Sequence, residues 1–199
     1  MNLTNKNKPM NRRNANQNED KNSREYQEQL LSRSRGYLLT VIIFTIINLV
    51  LLVLEQGTYF LFSAYIPYVV VDLGMALCGK YPAEYYGGEL ADMEFLNDTF
   101  FVITLVFAAV CLVLYLLSWI LCKKPRIGWM IFALVFFCVD AIGMLLIAGI
   151  SADMIVDIVF HGWVIVSLSG AVSASFKLKK LPAEEDVLEQ LLEEQAELS

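Results

Sequence analysis

The chain predicts an all-α, polytopic membrane protein with four transmembrane helices. Three observations carry that prediction. The 199 residues are 57% hydrophobic, with a mean hydropathy of +0.53, whereas a soluble domain sits nearer half apolar. The apolar residues gather into four runs, about 37–54, 99–122, 127–150 and 154–176, each close to the roughly 20 residues that cross a hydrocarbon core of about 30 Å. Lysine and arginine, finally, are confined to a few short stretches, and a four-span count places 14 of the 15 on one side. Basic residues flanking spans stay cytoplasmic, so both termini are expected there, in a plasma membrane.

Residues 1–35 form the first unit. Eight asparagines and almost no apolar side chains in 1–22 leave too little surface to bury for a fold. Ser23–Arg35 then reads as amphipathic, with Tyr26, Leu30 and Leu31 on one helical face among arginines. That suits either a juxtamembrane helix lying on anionic lipid or a solvated helix start. The first span, 37–54, is longer than a typical signal-peptide core, follows 36 residues and has no small-x-small site close behind it. It reads as a retained span.

Segment 58–78 poses the topological question. TYFLFSAYIPYVVVDLG is apolar, yet Pro67 interrupts it and Asp72 lies near its end. A fifth crossing, Pro-kinked, would send the KKPR stretch (Lys123, Lys124, Arg126) outward and the acidic stretch 80–98 inward. A segment that enters and leaves on the outer side satisfies the charge rule in every loop. Pro67 removes a backbone donor and disfavours helix at Ile66. Tyr59, Tyr65 and Tyr68 suit the headgroup zone. The segment is therefore expected to be re-entrant or interfacial.

The outer loop 79–98 carries Glu84, Glu89, Asp92, Glu94 and Asp98 but no DxDxDG pattern, so it reads as a solvated acidic loop rather than a calcium loop. The domain 36–180 closes with a tight hairpin between the last two spans and with Gly162, Ser169, Gly170, Ser173 and Ala174 on the final one. Ser169–Ser173 and Gly170–Ala174 are small-xxx-small pairs that let membrane helices approach closely. The tail 181–199 holds seven acidic side chains and no basic one. It reads as an acidic cytoplasmic helix entered at Pro182, with Glu184, Glu185 and Asp186 complementing the helix start. Its leucine stripe fits either docking or solvation.

Ionisable side chains at membrane depth default to a functional hypothesis. Asp140, Asp157 and His161, the only histidine, are the candidates, and Asn48 joins them. At 1.5 Å per residue Asp140 and His161 sit about 20 and 23 Å from the basic ends of their spans, and Asn48 about 17 Å. A polar layer across three helices follows. It could tie the helices together through hydrogen bonds, or relay a proton or hold a small cation. Asp157 and His161 are also i,i+4 neighbours. His161 lies about 150° around its helix from the small-residue seam at 100° per residue, so the final span needs neighbours on two sides.

Signals for enzymes are missing: no HExxH, GxSxG, GxGxxG or GxxxxGK[ST] occurs. No metal set or cofactor motif is expected, since one histidine makes no His-rich site, and no basic aromatic surface suits nucleic acid. Cys78, Cys111, Cys122 and Cys138 show no metal spacing and read as small apolar side chains.

YLLTVIIFTIINLVLL, TYFLFSAYIPYVVVDLG, KKPRIGWMIFALVFFCVDAIGML and FHGWVIVSLSGAVSASFKLKKLP together resemble small uncharacterised multi-span membrane proteins of Gram-positive bacteria, over about residues 35–183. The resemblance implies a bacterial plasma-membrane location and this span order, and it transfers no site residues. The sequence thus leads to a non-enzymatic interaction or accessory subunit in the lipid bilayer, assembled with itself or with a larger membrane protein. The alternative is a small transporter or ion- or proton-coupled component using Asp140 and His161.

Overall fold

The computed structural model describes residues 23–87, 94–123, 127–152 and 154–180, with Gln195. Every regular element among them is helical: α1 (Arg24–Val53), α2 (Tyr65–Leu77), α3 (Asp98–Leu121), α4 (Ile127–Ala148) and α5 (Ile155–Leu178), plus a 3-10 turn at Ala83–Tyr86. The expected all-α architecture is present. Four helices, α1, α3, α4 and α5, are long and apolar enough to cross a membrane. Helix α2 has 13 residues, a rise of about 20 Å, and falls short of a hydrocarbon core of about 30 Å.

The helices start where side chains satisfy their first backbone donors. Ser23 Oγ accepts from the Tyr26 N–H at the head of α1, and Asn97 Oδ1 accepts from the Thr99 N–H at 2.6 Å at the head of α3. Of the two readings of 23–35, the structure has a helix start: residues 24–35 are the first turns of α1, which runs unbroken for 30 residues. The cause is packing: Gln27, Leu31, Ser34 and Leu38 are all buried, and Ser34 Oγ donates to the Ser167 carbonyl of α5 at 2.9 Å. A face held by α5 runs past Gly36 without a break in the helix.

Helices α1 and α5 form the most extensive pair, and α4 packs on another side of α5, so the last helix has its two neighbours. Helix α2 nests against α1, α3 and α4. One apolar cluster, including Leu38, Tyr115, Met130, Phe137 and Leu168, fills the half nearer the basic residues. A smaller one, Leu52, Val71, Met75 and Ala108, joins α1, α2 and α3 at the opposite end. Polarity is inverted relative to a soluble core. Thr45, Asn48, Asp140, Asp157 and His161 are buried, while Val106, Val110, Leu146 and Val166 face outward. Lipid tails are as apolar as leucine, so hydrogen bonds and close fit drive association instead.

Close approach is visible at Gly74. A Cβ there would run into the Thr104 side chain of α3, so glycine is what lets α2 seat on α3. Residues 88–93, with Glu89 and Asp92, most of the KKPR stretch, the N-terminal 22 residues and the acidic tail lie outside the described residues, apart from Gln195.

Candidate functional site

The chain leaves α1 at Leu54 and turns back through Glu55 (φ 53°) and Gly57 (φ 60°). It then descends along α1 to Ala64 before α2 begins. Asn48 guides the descent: its Oδ1 accepts from the Phe60 N–H at 2.8 Å, and its Nδ2 donates to the Phe60 carbonyl at 2.6 Å and to Ser63 Oγ at 2.8 Å. Phe62 is held at φ 74°, a conformation that a bulky residue adopts only when its surroundings force it.

A helix start leaves four backbone N–H positions without intrahelical partners. In α2 all four are accounted for. The Ala64 N–H donates to Thr45 Oγ1 at 2.8 Å. The Tyr65 and Ile66 N–H groups donate to Asp140 Oδ2 and Oδ1 at 2.9 and 2.8 Å. The fourth position is Pro67, which has no N–H to satisfy. Contrary to the expectation at Ile66, that residue is helical: Pro67 opens α2 from its first turn, where proline is tolerated, and Asp140 pins the residue before it. A carboxylate also complements the positive end of a helix. Asp140 lies well inside α4, so the start of α2 is anchored within the bundle.

His161 completes this anchor. Its Nε2 lies 3.2 Å from Asp140 Oδ2, and its ring stacks on Phe137 at 5.0 Å between centroids. Its Nδ1 lies 2.8 Å from the Asp157 carbonyl. A carbonyl only accepts, so Nδ1 carries a hydrogen. The Nε2–Oδ2 contact then needs one further proton between two acceptor atoms. With a proton there, the Nε2–Oδ2 contact is a hydrogen bond and the two side chains together carry no net charge.

Asn48, Asp140, Asp157 and His161 are all buried, but they fall into separate groups. Asp140 and His161 meet directly. Asn48 does not reach them and binds the descending segment instead. The i,i+4 relation of Asp157 and His161 runs through the Asp157 carbonyl rather than its carboxylate. Asp157 is 2% exposed, the Phe62 backbone reaches its carboxylate, and its Oδ1 has no hydrogen-bond partner. Of the packing residues, Ala174 is buried and Gly170 half-buried, while Gly162, Ser169 and Ser173 turn outward. The intramolecular face of α5 is instead Val164, Leu168, Ala171, Ala174, Ser175 and Leu178.

Sequence reading missed Thr45 and Ser63. The available signal was spacing: Thr45 and Asn48 are three apart and share a helical face. Tyr59 carries the network outward, its hydroxyl 3.0 Å from Ser63 Oγ. It also lines a cavity of about 330 Å³, with Glu55, Tyr68, Asp72 and Tyr81, at the end opposite the basic residues. Burial pushes the Tyr59 phenol well above its ordinary range, against the opposing hydrogen bond to Ser63. Among the described residues no three His, Cys, Asp or Glu side chains converge as metal ligands. Compared with protein families, curated proteins and solved structures, the chain matches none.

Proposed function

We propose that this protein is a non-enzymatic interaction or accessory subunit of a bacterial plasma membrane, crossing it four times with both termini cytoplasmic. The observation that carries the reading is how Asp140 is used. Both its oxygens are taken by the α2 backbone and His161, so the most conspicuous buried acid holds the fold together and offers no open position to a substrate. The orientation rests on the basic residues: Arg24, Arg35 and Lys123 line one concavity with Leu178, and positive charge at span ends stays inside. Apolar side chains on α3 and the outward Gly162, Ser169 and Ser173 of α5 leave helix faces open to lipid, to a second copy or to a larger membrane protein. Crosslinking in native membranes followed by mass spectrometry tests this: a stoichiometric membrane partner or self-contact is expected, and a chain that crosslinks only to lipid would overturn it.

A second reading has one specific observation behind it. Asp140 and His161 lie 3.2 Å apart beside a helix start inside the bundle, and intramembrane Asp and His side chains are the groups that proton relays use. In that reading the protein is a small transporter or ion- or proton-coupled component. Flux into proteoliposomes separates the two: lost flux with intact folding in Asp140→Asn supports coupling, whereas lost assembly supports the structural role.

A further inference from the structure

We propose that Asp157 is the binding site for one exchangeable monovalent cation, a proton or an alkali ion. The first ground is charge. The Asp140–His161 pair is neutral as a unit wherever its shared proton resides, and the positive start of α2 is already turned on Asp140. The Asp157 carboxylate, in the first turn of α5, adds one negative charge, and among the described residues His161 is the one cationic side chain placed near it. Around it, α4 presents Asp140, α5 presents His161, and the descending segment with α2 presents the phenols of Tyr59 and Tyr65. Helix α1 turns the neutral Thr45 and Asn48 on the descending segment, at Ala64, Phe60 and Ser63. His161 is the one group among these able to carry positive charge, and it is committed to Asp140.

The second ground is the unpartnered oxygen. Asp157 is 98% buried by its 2% exposure, yet Oδ1 accepts no hydrogen bond. Buried polar atoms are nearly always satisfied, and an exception calls for an explanation. The donor set decides the class of cation. With one free carboxylate oxygen, and no converging set of His, Cys, Asp or Glu ligands among the described residues, the site lacks what a divalent ion or transition metal requires. A proton, or an alkali ion completed by hydroxyl and carbonyl oxygens, fits one carboxylate.

Geometry couples occupancy to the backbone. Phe62, at φ 74°, reaches the Asp157 carboxylate, and its neighbour Ser63 hydrogen-bonds Asn48 and Tyr59. Tyr59 lines the cavity at the end opposite the basic residues, so a cation arriving there approaches along this segment. The proposal does not depend on the accessory-subunit reading and stands or falls on the carboxylate itself.

The test is carbon-13 NMR of the full-length protein in nanodiscs, with aspartate carboxyl carbons labelled. The Asp157 resonance is identified by its loss in Asp157→Asn. Asp157→Glu, which keeps the charge but removes the labelled carbon, makes the assignment if the Asn variant fails to fold. Titration from about pH 5 to 9 in choline chloride, and then sodium or potassium added at fixed pH, distinguish the two cations. The expected result is a shift of the Asp157 resonance with pH if the ligand is the proton, or with sodium or potassium but not choline if it is the alkali ion. A resonance unmoved by both titrations overturns the proposal.

Discussion

At the scale of single residues, Asp140 is the side chain whose removal costs most. Asp140→Ala strips acceptors from two backbone N–H groups and from His161 inside the bundle, and each orphaned buried donor costs about 1–3 kcal/mol. Asp140→Asn keeps one carbonyl oxygen and should lose less. Unfolding of both variants in detergent micelles checks the order, and equal stabilities would refute the anchor. Tyr81 offers a test by pH. Burial, and then its hydrogen bond to the Asp72 carboxylate, push its phenol above the ordinary value of about 10. The folded state therefore keeps a proton that the unfolded state has lost. The associated stability is complete below about pH 10 and declines as pH rises beyond it. Tyrosinate absorbance should show Tyr81 ionising late, and Asp72→Asn should bring it back toward the ordinary range while leaving Tyr59 late.

At the scale of elements, α2 is short, apolar and held by close fit, and glycine substitutions of opposite sign expose this. At Gly74 a methyl group meets Thr104. Overpacking of this kind costs about 1–3 kcal/mol, so Gly74→Ala should destabilise the protein. Gly36 lies within α1, and a methyl there meets nothing within 4 Å. Gly36→Ala should stabilise by roughly 0.5–1 kcal/mol through helix propensity alone. Thermal unfolding of the pair reads both signs in one experiment. Helix α2 also marks the limit of what the sequence discloses. The expectation that it stops short of a crossing comes from the basic clusters, whereas Pro67 only occupies the first turn of the helix. That Asp140 caps it does not follow from the sequence, because a backbone N–H has no residue signature. The level shared by Asp140 and His161 is legible from rise per residue in antiparallel spans. Which face of α5 turns inward is not: with lipid outside, Val164 and Val166 have the same hydropathy but opposite placements, and Gly162, Ser169 and Ser173 look outward where the small-residue pattern points to helix contact.

At the scale of the whole molecule, three of the four long apolar helices, α1, α3 and α4, pack against a fifth helix that begins at the buried polar residues and ends beside the start of α3, where the Leu96 N–H donates to the Leu77 carbonyl at 2.8 Å. The descent from Glu55 to Ala64 and the return along α2 form one excursion that enters and leaves at the same end. Reporter fusions at the two termini should accordingly both read cytoplasmic. The excursion itself is tested most directly by side-specific thiol labelling of oriented membranes. The four native cysteines are replaced, and a single cysteine is introduced at Glu55 or at Glu84, both exposed and on either side of the excursion. Impermeant reagent should reach Glu55→Cys and Glu84→Cys from the same face of the membrane. Labelling of the two from opposite faces would make residues 58–78 a crossing and contradict the account.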